Sequence, residues 1–286
     1  VFLLYLGAKY ITEAKFLANT NPYLSISIIQ ICIYVLPCVF FCMLKGNTGF
    51  SSYKVKTFKL HTVPFVLTNV FLLFFLIVVL KYISIFVFKL YGSTMNVYSQ
   101  STDYVYVLLA GAFVPAITEE VLLRGVLFSE YEKVSGGAGA IFMTSLIFAM
   151  LHFSGQNFAV YFGAGLVLGI VTHVTGSVIP AMLLHFVNNF TMILTERTLF
   201  SIANENVGGV LALVLLLVVL FILMIIGLYQ MEGIYIKKAL QKPKNGAPII
   251  YVFPKEKNIF AVLARLIFTP VFLMIVAIFI VIAAKF

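Results

Sequence analysis

Apolar runs close to 20 residues long recur along this chain, separated by connections that hold most of its charge. A hydrocarbon core of about 30 Å is crossed by about 20 apolar residues in a helix, so these runs predict membrane spans. Eight are well defined: about Tyr23 to Leu44, Val63 to Leu80, Tyr104 to Phe128, Ala138 to Phe153, Phe158 to Val174, Val178 to Leu194, Val207 to Leu228 and Phe260 to Ala284. A ninth, about Val1 to Leu17, is broken by Lys9, Glu13 and Lys15 and does not read as a cleavable signal. With no initiator methionine at its start, a trimmed or partial chain with an incomplete first helix is expected. The expected fold is all-α, a polytopic transmembrane helical bundle of about eight to nine spans forming a single integral membrane domain. Its core would lie at about 104–194, with peripheral helices at about 1–80 and 207–284. A polar linker at 229–258 contains Pro243, Pro248 and Pro254.

Composition narrows the class further. Of 286 residues, 62% are hydrophobic and 10% charged, with a mean hydropathy of +1.10, which excludes an ordinary soluble enzyme. Only 19 Gly and 9 Pro leave no basis for collagen or disorder. Cys32, Cys38 and Cys42 share one apolar run and read as small hydrophobes rather than a disulfide framework. Basic residues cluster in three connections, at Lys45, Lys54, Lys56 and Lys59, at Lys133, and at Lys237, Lys238, Lys242, Lys244, Lys255 and Lys257. The alternate connections hold only Lys81, Lys89 and Arg197, so the positive-inside rule puts the polybasic connections in the cytoplasm. The protein is then expected in the plasma membrane if its host is bacterial. A net charge of +9 follows from that topology and from attraction to anionic membrane lipid; a nucleic-acid partner is not expected.

Against this background a few polar residues stand out. Glu119, Glu120 and Arg124 lie inside the span Tyr104 to Phe128, where each ionised group costs about 3 kcal/mol. Glu120 and Arg124 are four apart with the acid first, the spacing of a helical ion pair. Glu119 points about 100° away and is left to find a partner on another helix. His152 ends the next span, and Glu119 and His152 are equidistant from a point beside Gly136 and Gly137, so an antiparallel hairpin turning there would bring them level. His185 and Asn189 share one helical face in a third span. His61 and His173 read as interfacial, and the Gly165-Leu-Val-Leu-Gly169 spacing reads only as close helix contact.

A carboxylate and an imidazole facing across a dry cavity can hold a water and take its proton. A second imidazole and a carboxamide can donate to the oxygen that becomes negative when that water attacks a carbonyl. The same side chains, Glu119, His152 and His185, are also candidate ligands for one divalent metal such as zinc, although no His-Glu-x-x-His run is present. The residues leave open a metal-assisted reaction and one needing no cofactor. Intramembrane acids and histidines also mark transport pathways, but no pair of Gly/Pro-broken helices recurs in matched halves.

Glu119-Glu120-Val-Leu-Leu-Arg124-Gly125, then Phe148-x-x-x-His152, then His185-x-x-x-Asn189, resembles the three ordered motifs of the CPBP (CAAX-processing and bacteriocin-processing, or Abi) intramembrane proteases over about Tyr104 to Leu194. The resemblance implies a helical membrane peptidase of about eight helices whose intramembrane cavity opens toward the cytosol. It assigns water activation to Glu119 with His152, oxyanion stabilisation to His185 and Asn189, and a supporting role to Glu120 and Arg124. The family is often labelled metallopeptidase, and a metal-independent glutamate mechanism is also held for it. A peptide or membrane-protein substrate is implied. Some relatives are discussed as immunity or partner-regulating proteins.

Overall fold

Hydrocarbon offers no partner to backbone N–H and C=O groups, so a span must bond to itself as a helix. The computed structural model of the chain describes residues 21–46, 53–86, 104–204, 209–240 and 258–283, and no strand occurs among the described residues. Helix α1 is Pro22–Leu44, capped by the Asn21 side chain, which accepts from the Tyr23 N–H at 3.0 Å. A short 3-10 turn, Leu60–Thr62, leads into α2, Val63–Phe86. Next come α3 (Tyr104–Leu108), α4 (Val114–Glu120), α5 (Phe128–Leu151), α6 (Phe158–Thr175), α7 (Ile179–Asn204), α8 (Gly209–Leu240), α9 (Ile259–Ile267) and α10 (Pro270–Ala283). Wider π-helical turns, Leu109–Phe113 and Val121–Leu127, join α3 to α4 and α4 to α5.

By length and apolarity five helical stretches suffice to cross a membrane, or six if α9 and α10 count as one. The expected eight to nine are therefore not reached among the described residues. The run about Val1 to Leu17 lies outside them. Residues Tyr104–Leu151 form one helical stretch of 48 residues, broken only at Gly136, whose φ of 71° and ψ of −179° leave the helical region. The chain reverses there: Arg124 and Phe148, which a straight helix would hold about 36 Å apart, are in contact and equidistant from Gly136. In α7 the run Ile179–Thr195 is apolar but shorter than the other spans among the described residues. The expected span from Phe260 to Ala284 is bent by 65° between α9 and α10. Pro270 has no N–H to continue α9, and Thr269 closes the break by donating to Leu266 O at 2.9 Å and accepting from the Phe272 N–H at 3.3 Å.

The connection expected from Tyr229 onward begins later, because α8 runs on to Leu240. Its last turns are held from outside the hydrocarbon: Ile234 is buried in the core and Lys238 donates to Val174 O at 2.6 Å. Other lysines engage the same end of the bundle. Lys45 pairs with Glu130, Lys54 pairs with Glu132 at 2.8 Å, and the Ser177 hydroxyl donates to Lys56 O. The hydrogen bond to Glu130 holds the Lys45 ammonium above its ordinary pKa.

Helices α5 and α6 make the tightest seam. Gly165 faces Ser145, Gly169 faces Ile141 and Gly137 faces His173, every pair equidistant from Gly155. A Cβ at Gly165 would lie 2.8 Å from Ser145 Cα, backbone that cannot turn aside. The glycine spacing read as bare contact thus fixes how closely these helices approach. Gly165→Ala is expected to destabilise the fold by about 1–3 kcal/mol through overpacking. Gly227→Ala, where nothing stands within 4 Å of the added carbon, is the matched control. Unfolding titrations in mixed micelles check the pair, and equal stability of both variants would contradict the seam.

Candidate active site

The two carboxylates close α4, and the π-helical turn that follows carries Arg124. Such turns concentrate at functional sites. The ion pair expected from the i, i+4 spacing is present: Arg124 Nη1 meets Glu120 Oε1 at 2.8 Å, with both side chains fully buried. Arg124 Nη2 also donates to Gly165 O at 3.0 Å, and the guanidinium lies 4.8 Å from the Phe148 ring centroid. The charge is thus held by a carboxylate, a carbonyl and an aromatic face, from three helical segments.

His185, six residues into α7, approaches the same Glu120 Oε1 with Nδ1 at 2.9 Å. A carboxylate already paired with a guanidinium is ionised and accepts, so Nδ1 carries the proton. His152, at the C-terminal cap of α5, sets Nδ1 2.8 Å from Phe148 O, and a carbonyl can only accept. Each imidazole is therefore tied through Nδ1–H, which turns Nε2 toward whatever enters. The His152 ring stacks on Tyr161, with centroids 3.7 Å apart and planes inclined by 22°, and meets Phe148 edge-on at 4.6 Å. Phe148 also meets His185 edge-on at 5.6 Å, so one aromatic ring separates and spaces both histidines and the arginine.

Glu119 differs from its neighbour. Glu120 is fully buried, whereas Glu119 keeps 6% exposure and makes no hydrogen bond among the described residues. His185 lies within electrostatic reach of both Glu119 and His152. Asn189, one turn below His185, is 7% exposed and its Oδ1 accepts from Asn188 Nδ2 at 3.3 Å.

Residues 101–191 match the family model described as type II CAAX prenyl endopeptidase Rce1-like, which agrees with the CPBP resemblance. Over these residues the chain is similar to the Rce1-like family. No curated protein and no solved structure matches the chain. The Rce1-like segment contains both carboxylates, Arg124, both histidines and Asn189. The matched family is one of proteases, and with several apolar helices the protein is an integral membrane protein.

Within the Rce1-like segment Glu120, Arg124, Phe148, His152 and His185 form one connected set, with Glu119 and Asn189 at its edge. Glu119 and His152, expected to be level, make no direct hydrogen bond among the described residues. Among the described residues no group of three His, Cys, Asp or Glu side chains, the candidates Glu119, His152 and His185 included, is spaced to hold a metal ion. A metal-binding triad needs its donors within about 2 Å of one point.

Tyr161, the Gly165 carbonyl and Lys81 are not singled out by the sequence. Lys81 donates from α2 to Asn157 Oδ1 at 2.8 Å, and Asn157 in turn bonds Ser154 at 3.1 Å, pinning the turn after His152. That turn passes through Phe153 at φ 48°, a conformation that bulky residues seldom adopt. A tyrosine within an otherwise apolar span was the available signal for Tyr161, whereas Lys81 falls just past the expected span end and lies inside α2 only because that helix runs on to Phe86.

Proposed function

We propose that the protein is an intramembrane endopeptidase that hydrolyses a peptide bond in a membrane-associated protein or peptide. The observation that carries this is the inequality of the adjacent acids: Glu120 is neutralised by Arg124 and tied to His185, while Glu119 is unpaired among the described residues and reachable by a water. Glu119, with the lone pair of His152 Nε2, takes a proton from that water as its oxygen attacks the scissile carbonyl carbon. The resulting oxyanion receives a hydrogen bond from the Asn189 amide, and a second from Nε2–H of His185 in an imidazolium form that faces Glu120. Protonated Glu119 then gives its proton to the departing amine, the C–N bond breaks, and the site returns to its starting state. Every step uses side chains and water alone.

The polybasic end of the bundle faces the cytoplasm in this proposal, and in a bacterial host the membrane is the plasma membrane. The substrate is a peptide of the CAAX-type class, presented from the lipid. The direct test is incubation of the liposome-reconstituted protein with prenylated and unmodified membrane peptides, with new termini read by mass spectrometry. Cleavage that persists after dialysis against a chelator is expected; no new termini from any peptide would overturn the proposal.

The stack on His152 adds a sharper expectation. Tyr161→Leu removes the ring that orients the imidazole and should lower kcat about two- to tenfold, the worth of one aromatic contact, with KM little changed. Tyr161→Phe keeps the ring and should restore the rate. A KM effect in both variants would move Tyr161 from positioning His152 to binding substrate.

A further inference from the structure

The polybasic end of the bundle also holds a cavity of about 380 Å³ that takes no part in the site above. It lies between the 3-10 turn that opens α2 and the C-terminal turns of α8, and is lined in part by His61, Phe65, Gln230, Glu232, Ile234 and Lys237. Its depth follows from α8. The apolar run from Gly209 to Leu228 rises about 30 Å at 1.5 Å per residue, the thickness of the hydrocarbon, so residues from Tyr229 onward stand among lipid headgroups.

The walls are of mixed character. Phe65 and Ile234 are 2% and 4% exposed and give an apolar floor, while Glu232 and Lys237 stand exposed at the rim. Two polar atoms beside it, His61 Nε2 and Gln230 Oε1, are buried without a hydrogen-bond partner. Lys59, Lys237 and Lys238 all act on His61 electrostatically, so positive charge outweighs the single Glu232 carboxylate. The Lys238 ammonium is engaged by Val174 O, which leaves Lys237 as the lysine that lines the cavity.

An anion answers Lys237 and an N–H at His61 Nε2, but it gives nothing to Gln230 Oε1, which needs a donor. A phosphodiester that carries a hydroxyl supplies both. We propose that this cavity binds the headgroup of a hydroxylated anionic phospholipid of the phosphatidylglycerol type, its phosphate toward Lys237 and His61 and its hydroxyl toward Gln230. The apolar floor then lies beneath the ester region, and the lipid bridges α2 and α8.

The full-length protein, delipidated in detergent, is titrated with dihexanoyl-phosphatidylglycerol, dihexanoyl-phosphatidylcholine and sn-glycerol 3-phosphate, following the midpoint of thermal unfolding and lipid adducts by native mass spectrometry. A saturable rise and a single retained adduct are expected with phosphatidylglycerol alone. Lys237→Gln and Gln230→Leu should each weaken that binding at least about tenfold, the worth of one charge-assisted or buried hydrogen bond. Lys133→Gln, which removes an exposed cation from the same end of the bundle, should leave it unchanged. Equal response to the choline lipid, or binding indifferent to both cavity variants, overturns the proposal. An equal response to glycerol phosphate would make this a soluble phosphoester site and also overturn the lipid assignment. Lys237 is exposed, so its variant remains informative even if Gln230→Leu fails to fold.

Discussion

Glu119→Gln is expected to lower peptide turnover by about 10²–10⁴-fold, the usual contribution of a positioned general base. The amide is nearly isosteric with the carboxylate but has no basic lone pair at neutral pH, so water would lose its proton acceptor while the cavity kept its shape. KM should change little, since the lost interaction is made in the transition state. Folding should not suffer, because Glu119 holds no hydrogen bond to any described residue. The variant is therefore expected to unfold at a temperature no lower than the parent. Single-turnover rates on one reconstituted substrate, paired with thermal unfolding of the same preparations, provide the check. A variant that cleaves within about threefold of the parent would remove Glu119 from the reaction, whatever the remaining residues do.

Arg124→Leu is expected to produce the largest loss of stability, about 3–5 kcal/mol. The side chain is fully buried, and its removal strands the Glu120 carboxylate without its guanidinium while also deleting the bond to Gly165 O and the contact with Phe148. The cost of a lone charge in a dry interior outweighs that of the lost contacts, which gives the prediction a second half. Combining Arg124→Leu with Glu120→Leu removes both charges, and the double variant should be more stable than Arg124→Leu alone by at least about 1 kcal/mol. Unfolding titrations of the four members of that cycle supply the comparison. Additive losses would mean that the arginine acts through packing alone. Activity is expected to be lost even in the stable double variant, because His185 then has no carboxylate to hold Nδ1.

Legibility from sequence followed the range of the physics involved. Hydropathy records transfer from water to oil residue by residue, so most apolar runs appear as helices close to where they were expected. The Glu120–Arg124 pair was readable because i and i+4 meet on any helix, and the reversal near Gly136 because two small residues interrupt an apolar pattern. The π-helical turn at Val121–Leu127 adds a residue without changing composition and left no mark. The backbone acceptor at Gly165 was invisible for a related reason: a carbonyl is present at every position, and only the packing of α5 on α6 decides which one an arginine meets. The extension of α8 beyond Leu228 was hidden because its support comes from Val174, far away in sequence. The bend at Thr269 is signalled by Pro270, but a proline inside an apolar run is tolerated often enough in membranes that the pattern alone continues through it.

The dovetail of Gly165 against Ser145 has a bearing on traffic. Where Gly165 meets the Ser145 Cα no side chain can swing aside, so α5 and α6 form a fixed wall that carries Phe148 and His152. A polypeptide arriving through the lipid must then come in by another flank, and helices that part to admit it are to be sought away from that wall.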